Sequence, residues 1–240
     1  MRKHIIYLIF LIQLSNNLNA QTIKLGFETG IGNYQMTYLK SVINSAVENN
    51  TLQPKIVTNF PAYLYYQPSI SFCKETHNWG FNFTLLSTGA RASIRDYSGE
   101  YRFDNTVVGY APGFFEEFRI FRIKDLSLFL RADAGILSSS IQFKEYFKVN
   151  SQTYIDDSWK VICYGLFTKP SIKATYSLSN KLNFEADLGY HFDLYNGSFH
   201  SETDPITYFR HAFFQSGNKL SWNGFRFGLA CTYSFSSNPH

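Results

Sequence analysis

The constraint that bears hardest on this chain is a periodicity. Beyond the first twenty residues no stretch is apolar for long enough to cross a bilayer as a helix, yet segment after segment carries a bulky apolar residue at every second position. That period of two is the signature of β-strands. Ile23, Leu25, Phe27 and Ile31 alternate with Lys24, Gly26, Glu28 and Gly30. Leu64, Tyr66, Pro68, Ile70 and Phe72 form a second series, and Trp79, Phe81, Phe83 and Leu85 a third, alternating with Gly80, Asn82 and Thr84. A fourth strand, 107–123, places Val108, Tyr110, Pro112, Phe114 and Phe118 on one face together with Glu116, which points to a bulge or a change of register. Leu128 to Ile136, Pro170 to Tyr176, Leu182 to Phe192 and Phe225 to Phe235 complete a set of eight.

The connections alternate in length. Short turns fall at Lys74–Asn78, Lys124–Ser127 and Ser179–Lys181; long ones fall at 34–60, 88–106, 138–160 and 195–221. Short turns at one end and long loops at the other are expected of a transmembrane barrel. Volume then decides which face points inward. The interior of an eight-stranded barrel is just wide enough to be filled by side chains. The bulky apolar face does not fit there, whereas the face of small and polar residues does. The apolar face must therefore lie outside, where a soluble protein has no means of hiding it from water. Composition agrees: aromatics make up 18% and charged residues only 17%, against a usual charged fraction of about 25%.

The start of the chain reads as a cleaved secretory leader over residues 1–20. Arg2, Lys3 and His4 precede the apolar run Ile5 to Ile12, and Leu18-Asn19-Ala20 offers a cleavage site. Residues 21–240 then form one barrel domain. Without Arg2 and Lys3 the formal charge falls from +4 to +2, and no basic patch points to nucleic acid. The three cysteines, Cys73, Cys163 and Cys231, are dispersed and odd in number, so they read as filler thiols and not as a disulfide framework.

The final strand, Arg226 to Phe235, looks like the C-terminal signal that outer-membrane barrels present to their assembly machinery. Leu25 to Tyr34, Asn59-Phe60-Pro61-Ala62-Tyr63, Ser87-Thr88-Gly89-Ala90-Arg91 and Asp96 to Tyr101 add to that likeness. Across most of its length the chain resembles the porin-like outer-membrane β-barrels common in Bacteroidota, similar in outline to the OmpX and OmpA barrels. The resemblance implies a location in the cell outer membrane and a topology, with no catalytic signature.

The inward register carries Lys24, Arg119, Arg131, Lys169, Lys173 and Arg226 against Glu28, Glu117, Asp133, Glu185 and Asp187. Charges persist in a narrow interior only when paired, so these residues, with His191, are expected to form an ion-pair network that fills the lumen. His191 is expected to hydrogen-bond to a carboxylate among Glu185, Asp187 and Asp193. Tyr34, Tyr66, Trp79, Tyr176, Tyr190, Trp222 and Phe235 are expected to form the interfacial aromatic girdles. Tyr97 and Tyr101 read as loop packing residues, with ligand stacking as the other reading. Met36 to Val47 reads as a short amphipathic helix in the first loop, placed either over the barrel mouth or merely organising the loop. Asp156-Asp157 and Glu145 lack a ligand-spaced third acid, so no metal is expected, and no cofactor either. His200-Ser201-Glu202 holds hydrolase residue types, but adjacent strand residues point to opposite faces.

The expected fold is therefore all-β, a closed antiparallel eight-stranded barrel with four long extracellular loops. The expected role is non-enzymatic, structural or exerted through those loops. The expected partners are outer-membrane lipid and lipopolysaccharide, the barrel-assembly machinery, and an extracellular ligand held by the loops. A narrow channel for small solutes is the alternative, and a membrane-embedded lipid-modifying enzyme or protease the third reading.

Overall fold

The computed structural model describes residues 22–150, 152–197, 199–201 and 219–236. The leader, Glu202 and the last four residues lie outside them. Its strands are β1 (Thr22–Gly32), β2 (Lys55–Asn59), β3 (Tyr63–Cys73), β4 (His77–Arg95), β5 (Gly99–Ile123), β6 (Leu126–Val149), β7 (Gln152–Ser177), β8 (Leu182–Asn196), β9 (His200–Ser201) and β10 (Gly224–Ser236), with one helix, α1 (Thr37–Glu48). Eight of the strands close a ring in chain order, from β1 through β3 to β8 and then β10, all neighbours antiparallel. Closure is made by β1 and β10, paired from Thr22↔Ser236 to Gly32↔Arg226. With no free edge inside the ring, every ladder finds its partner within the sheet, which is what a hydrocarbon environment demands.

The outward face carries the alternating apolar series. Phe27 is 53% exposed, Phe81 52%, Ile136 56%, Leu188 56% and Leu229 56%, while their sequence neighbours Glu28, Asn82, Asp187 and Gly228 are buried. A continuous exterior of this kind is stable only against lipid. In β5 the register holds without interruption from Arg95↔Glu100 to His77↔Phe118, with Glu116 on the outward face. The expected irregularity lies lower, between Arg119 and Phe121.

The long connections sit at one end, and two of them are largely strand. Segments 88–106 and 138–160 continue β4 to β7, which reach 19, 25, 24 and 26 residues, whereas a tilted membrane crossing needs about 9–11. The excess stands outside the bilayer, and there the polarity of the sheet inverts. In β6, Leu128, Leu130 and Ile136 face outward; above them Leu137, Ile141 and Phe143 face inward at 0–2% exposure, with Gln142 and Lys144 outside. The inversion follows the solvent: lipid meets the lower outer face and water meets the upper one. The β4–β5 hairpin closes on Asp96, whose carboxylate accepts from Ser98 Oγ (2.7 Å), Ser98 N–H (2.8 Å) and Gly99 N–H (3.0 Å). These bonds hold its pKa below the ordinary carboxylate value. At the tip Tyr97 is fully exposed, while Tyr101 is buried and donates to Glu145 (3.1 Å).

The first connection folds back over the barrel mouth. α1 buries Leu39 and Ile43, and its N-terminal flank Met36 has a left-handed φ of 45° and no side-chain cap. A 12-residue helix without an N-terminal side-chain cap is marginal alone, so docking holds it. Met36 N–H bonds to Ser221 carbonyl (3.0 Å), tying the first connection to the last. Phe60, at φ 47° and 2% exposed, anchors the returning end. Both residues bear left-handed strain of about 1–3 kcal/mol and both bury their side chains under the mouth.

Candidate functional site

Among the described residues the interior is the lumen, and it is filled in two layers. The lower layer is a chain of seven alternating charges contributed by β5 to β8. Asp187 accepts from Lys169 Nζ (3.0 Å), which lies 3.9 Å from Asp133. Arg131 grips Asp133 through Nε (2.9 Å) and Nη2 (2.7 Å) and reaches Glu117 through Nη1 (3.2 Å). Lys173 then bridges Glu117 (2.5 Å) and Glu185 (3.1 Å). All seven side chains are at most 7% exposed. Neutral donors complete the remaining lone pairs: Ser171 to Asp187 (2.7 Å), Asn78 to Glu117 (3.1 Å), Asn82 to Asp133, and Thr232 to Glu185 (3.2 Å). Bidentate geometry and saturated acceptors are the conditions under which buried charges survive. The Arg131 guanidinium also lies 4.0 Å above the Phe115 ring.

Glu28 sits apart from this chain and accepts from Tyr65 Oη (2.5 Å) and Gln67 Nε2 (3.4 Å). Gly228 faces that bond, and a Cβ there would overlap both the Glu28 carboxylate and the Tyr65 hydroxyl. Gly228→Ala is therefore expected to break the Tyr65–Glu28 bond and cost about 1–3 kcal/mol, read as a lowered urea midpoint; an unchanged midpoint would mean the pair moves aside freely. Arg226 is 2% exposed, its guanidinium 5.8 and 5.9 Å from the ring centres of Tyr34 and Tyr65. Lys24 is half-buried near the short-turn end, and Arg119 is half-buried at the β5 irregularity, outside the chain of ion pairs.

The upper layer is apolar. Tyr34, Met36, Leu39, Ile43, Phe60, Leu86, Phe103, Val107, Leu137, Ile141, Phe143 and Trp222 form one buried cluster beneath α1. Trp222 is fully enclosed, edge-on to Tyr34 with ring centres 4.9 Å apart, and donates Nε1–H to Ser139 Oγ (2.9 Å). Asp193 fastens this segment from below, accepting from Trp222 N–H (2.7 Å) and His191 Nε2 (3.2 Å), while its own N–H donates to Asn223 Oδ1 (2.7 Å). The His191 ring stacks on Phe167 with centres 4.8 Å apart. His191 thus hydrogen-bonds to a carboxylate in the lumen, and the acid is Asp193.

Two girdle assignments need correction. Tyr34 and Trp222 do not face the membrane; both are 0% exposed inside the mouth. Gly32 and Gly224 point inward, and the same parity carried two residues further turns Tyr34 and Trp222 inward as well. Tyr66, Tyr176 and Phe235 are 44–50% exposed on the outward face. Trp79 keeps the outward register but is covered by Phe72, Phe81 and Phe114. Tyr190 packs on Phe192 and Phe225. Cys73 and Cys163 are buried free thiols and Cys231 an exposed one. Among the described residues no group of His, Cys, Asp or Glu is arranged to hold a metal ion. His200 and Ser201 pair with Ile162 and Val161 at the edge of β7.

No protein-family model matches the chain, and no curated protein does. Solved structures similar to it include Ail, the attachment invasion locus protein of Yersinia pestis, at 12% identity over 89% of this chain and 97% of that one, TM-score 0.36. A major outer membrane protein from Thermus thermophilus matches at 9% identity over 89% and 99%, TM-score 0.45. OprG from Pseudomonas aeruginosa matches at 10% identity over 90% and 95%, TM-score 0.42. The closed ring with an apolar exterior is that of an outer-membrane β-barrel.

Proposed function

We propose that this protein is a non-enzymatic outer-membrane barrel with a closed lumen, acting as a rigid scaffold that displays its extracellular surface. The observation that carries this reading is the double filling of the interior, an alternating chain of paired charges below and a dry aromatic plug above. Neither layer leaves the one-signed ring of charge that an ion-selective pore uses. The paired lumen charges and the Tyr66, Tyr176 and Phe235 belt serve stability and anchoring in this reading. His191 has its Nε2 on Asp193 and its ring on Phe167, an arrangement that supports a packing role over acid–base chemistry.

The test is conductance of refolded protein in a planar bilayer, with the gel mobility of heated and unheated samples as the folding control. Folded protein is expected to be silent at any polarity. A variant with residues 37–59 replaced by a short Gly/Ser linker is expected to stay silent too, because the ion-pair layer still fills the barrel. Discrete, reproducible steps from the intact protein would overturn the reading in favour of a narrow channel.

A further inference from the structure

One buried cation stands outside the chain of ion pairs. Arg226 points inward from β10 at 2% exposure, and the register sets Gly32 of β1 across from it on one side and Gly189 of β8 on the other. Its inward neighbours along β10 are Gly224 and Gly228. All four flanking inward positions are therefore glycine, and none has a side chain that could supply a counter-charge. The Tyr34 ring takes the space over Gly32, where a Cβ would overlap its Oη, and the Tyr65 hydroxyl takes the space over Gly228. The Arg226 guanidinium thus lies where the ion-pair layer meets the aromatic plug, 5.8 and 5.9 Å from those two ring centres.

The edge of that guanidinium formed by Nε and Nη2 is buried and makes no hydrogen bond with any described residue, and neither does Tyr34 Oη. In the same lumen Arg131 uses the corresponding edge to grip Asp133, at 2.9 and 2.7 Å. The inward acids of the adjoining β1 and β8 are engaged elsewhere. Glu28 accepts from Tyr65 and Gln67, Glu185 from Lys173 and Thr232, Asp187 from Lys169 and Ser171, and Asp193 from His191 and Trp222 N–H. Arginine cannot shed its proton, and a buried charge without a counter-charge costs far more than an unmet dipole. A water molecule would satisfy the N–H groups and leave the charge. We infer that the Nε–Nη2 edge of Arg226, together with Tyr34 Oη, binds one small monovalent anion such as chloride inside the lumen, in the place that Asp133 takes for Arg131. Two parallel N–H bonds on a rigid fork and a phenolic O–H, all shielded from water, form a donor set that selects an anion over a cation or a neutral solute.

The experiment is reversible urea unfolding of the full, refolded protein in phosphatidylcholine vesicles, with sodium chloride exchanged for sodium gluconate at constant ionic strength. Gluconate is too large to enter the lumen, so the exchange changes the supply of small anions and leaves screening alone. A ligand that binds only the folded state raises the folding equilibrium constant in proportion to its concentration once its dissociation constant is exceeded, so about tenfold is expected for a tenfold rise in chloride. Arg226→Gln is expected to abolish that dependence. Tyr34→Phe keeps Arg226 and the ring but loses the hydroxyl, and is expected to need on the order of tenfold more chloride for the same gain. It also serves as the informative variant if Arg226→Gln fails to show folded gel mobility. A parent whose stability is the same in chloride and gluconate overturns the proposal, since only water would then meet Arg226. Equal chloride dependence in folded Arg226→Gln overturns it as well, because the anion would be acting elsewhere. The readout is stability and not current, so a conducting parent would count against the closed lumen while leaving this test intact.

Discussion

Arg131→Met is expected to destabilise the barrel by about 3–5 kcal/mol, the usual penalty when one partner of a buried ion pair is removed. Arg131 is the centre of the seven-charge chain and the group that holds both Asp133 and Glu117. Without it, Glu117 keeps Lys173 and Asn78, but Asp133 retains only Asn82 and a distant Lys169 at 3.9 Å. A carboxylate left that way inside a barrel surrounded by hydrocarbon has no solvent to turn to. The measurement is urea unfolding in lipid vesicles, followed by Trp fluorescence and gel mobility. Arg131→Met/Asp133→Leu is expected to regain part of the loss, because the orphaned charge leaves with its partner. A loss below about 1 kcal/mol in the single variant would mean that water screens the chain, and a wet lumen would reopen the channel reading.

That chain was legible from the sequence to a useful degree, because parity along a strand is a strict rule. Once Leu128, Leu130 and Ile136 are outside, Arg131 and Asp133 are inside, and the same holds for Lys169 and Lys173 opposite Ile172. What parity does not carry is the stagger between strands. The β1–β3 register sets Glu28 opposite Gln67, with Tyr65 one inward position above, and nothing in either segment alone announces that pairing. The upper layer was hidden for another reason. In 88–106 and 138–160 the apolar residues change parity, from Ile136 outside to Leu137, Ile141 and Phe143 inside. A broken alternation reads as loop, although it records a strand leaving lipid for water. Tyr34 and Trp222 were misplaced because a strand end suits both a girdle and a plug; extending the inward parity of Gly32 and Gly224 separates the two.

Trp222→Ala is expected to cost about 3–5 kcal/mol, as for other large aromatics deleted from a dry core, and the loss is expected to be local. Trp222 joins three elements that have little else in common: Tyr34 after β1, Ser139 on β6, and Asp193 on β8 through its backbone N–H. α1 has no side-chain cap at its N-terminus and no acidic first turn, so its order comes from what it docks on. Deleting the indole empties the floor beneath Tyr34, Leu39 and Ile43, and the α1 amides are expected to exchange hydrogen near the free-peptide rate. The β5–β6 amides beside Arg131 and Asp133 are expected to remain protected, since the ion-pair layer does not touch the indole. Trp222→Phe keeps the ring and loses only the Ser139 bond, so about 1 kcal/mol is expected. Protected α1 amides in Trp222→Ala would show that Met36, Leu39 and Ile43 hold the helix without it. Melted α1 together with a silent bilayer would separate the two layers physically: the plug organises the extracellular face, and the paired charges alone are enough to close the barrel.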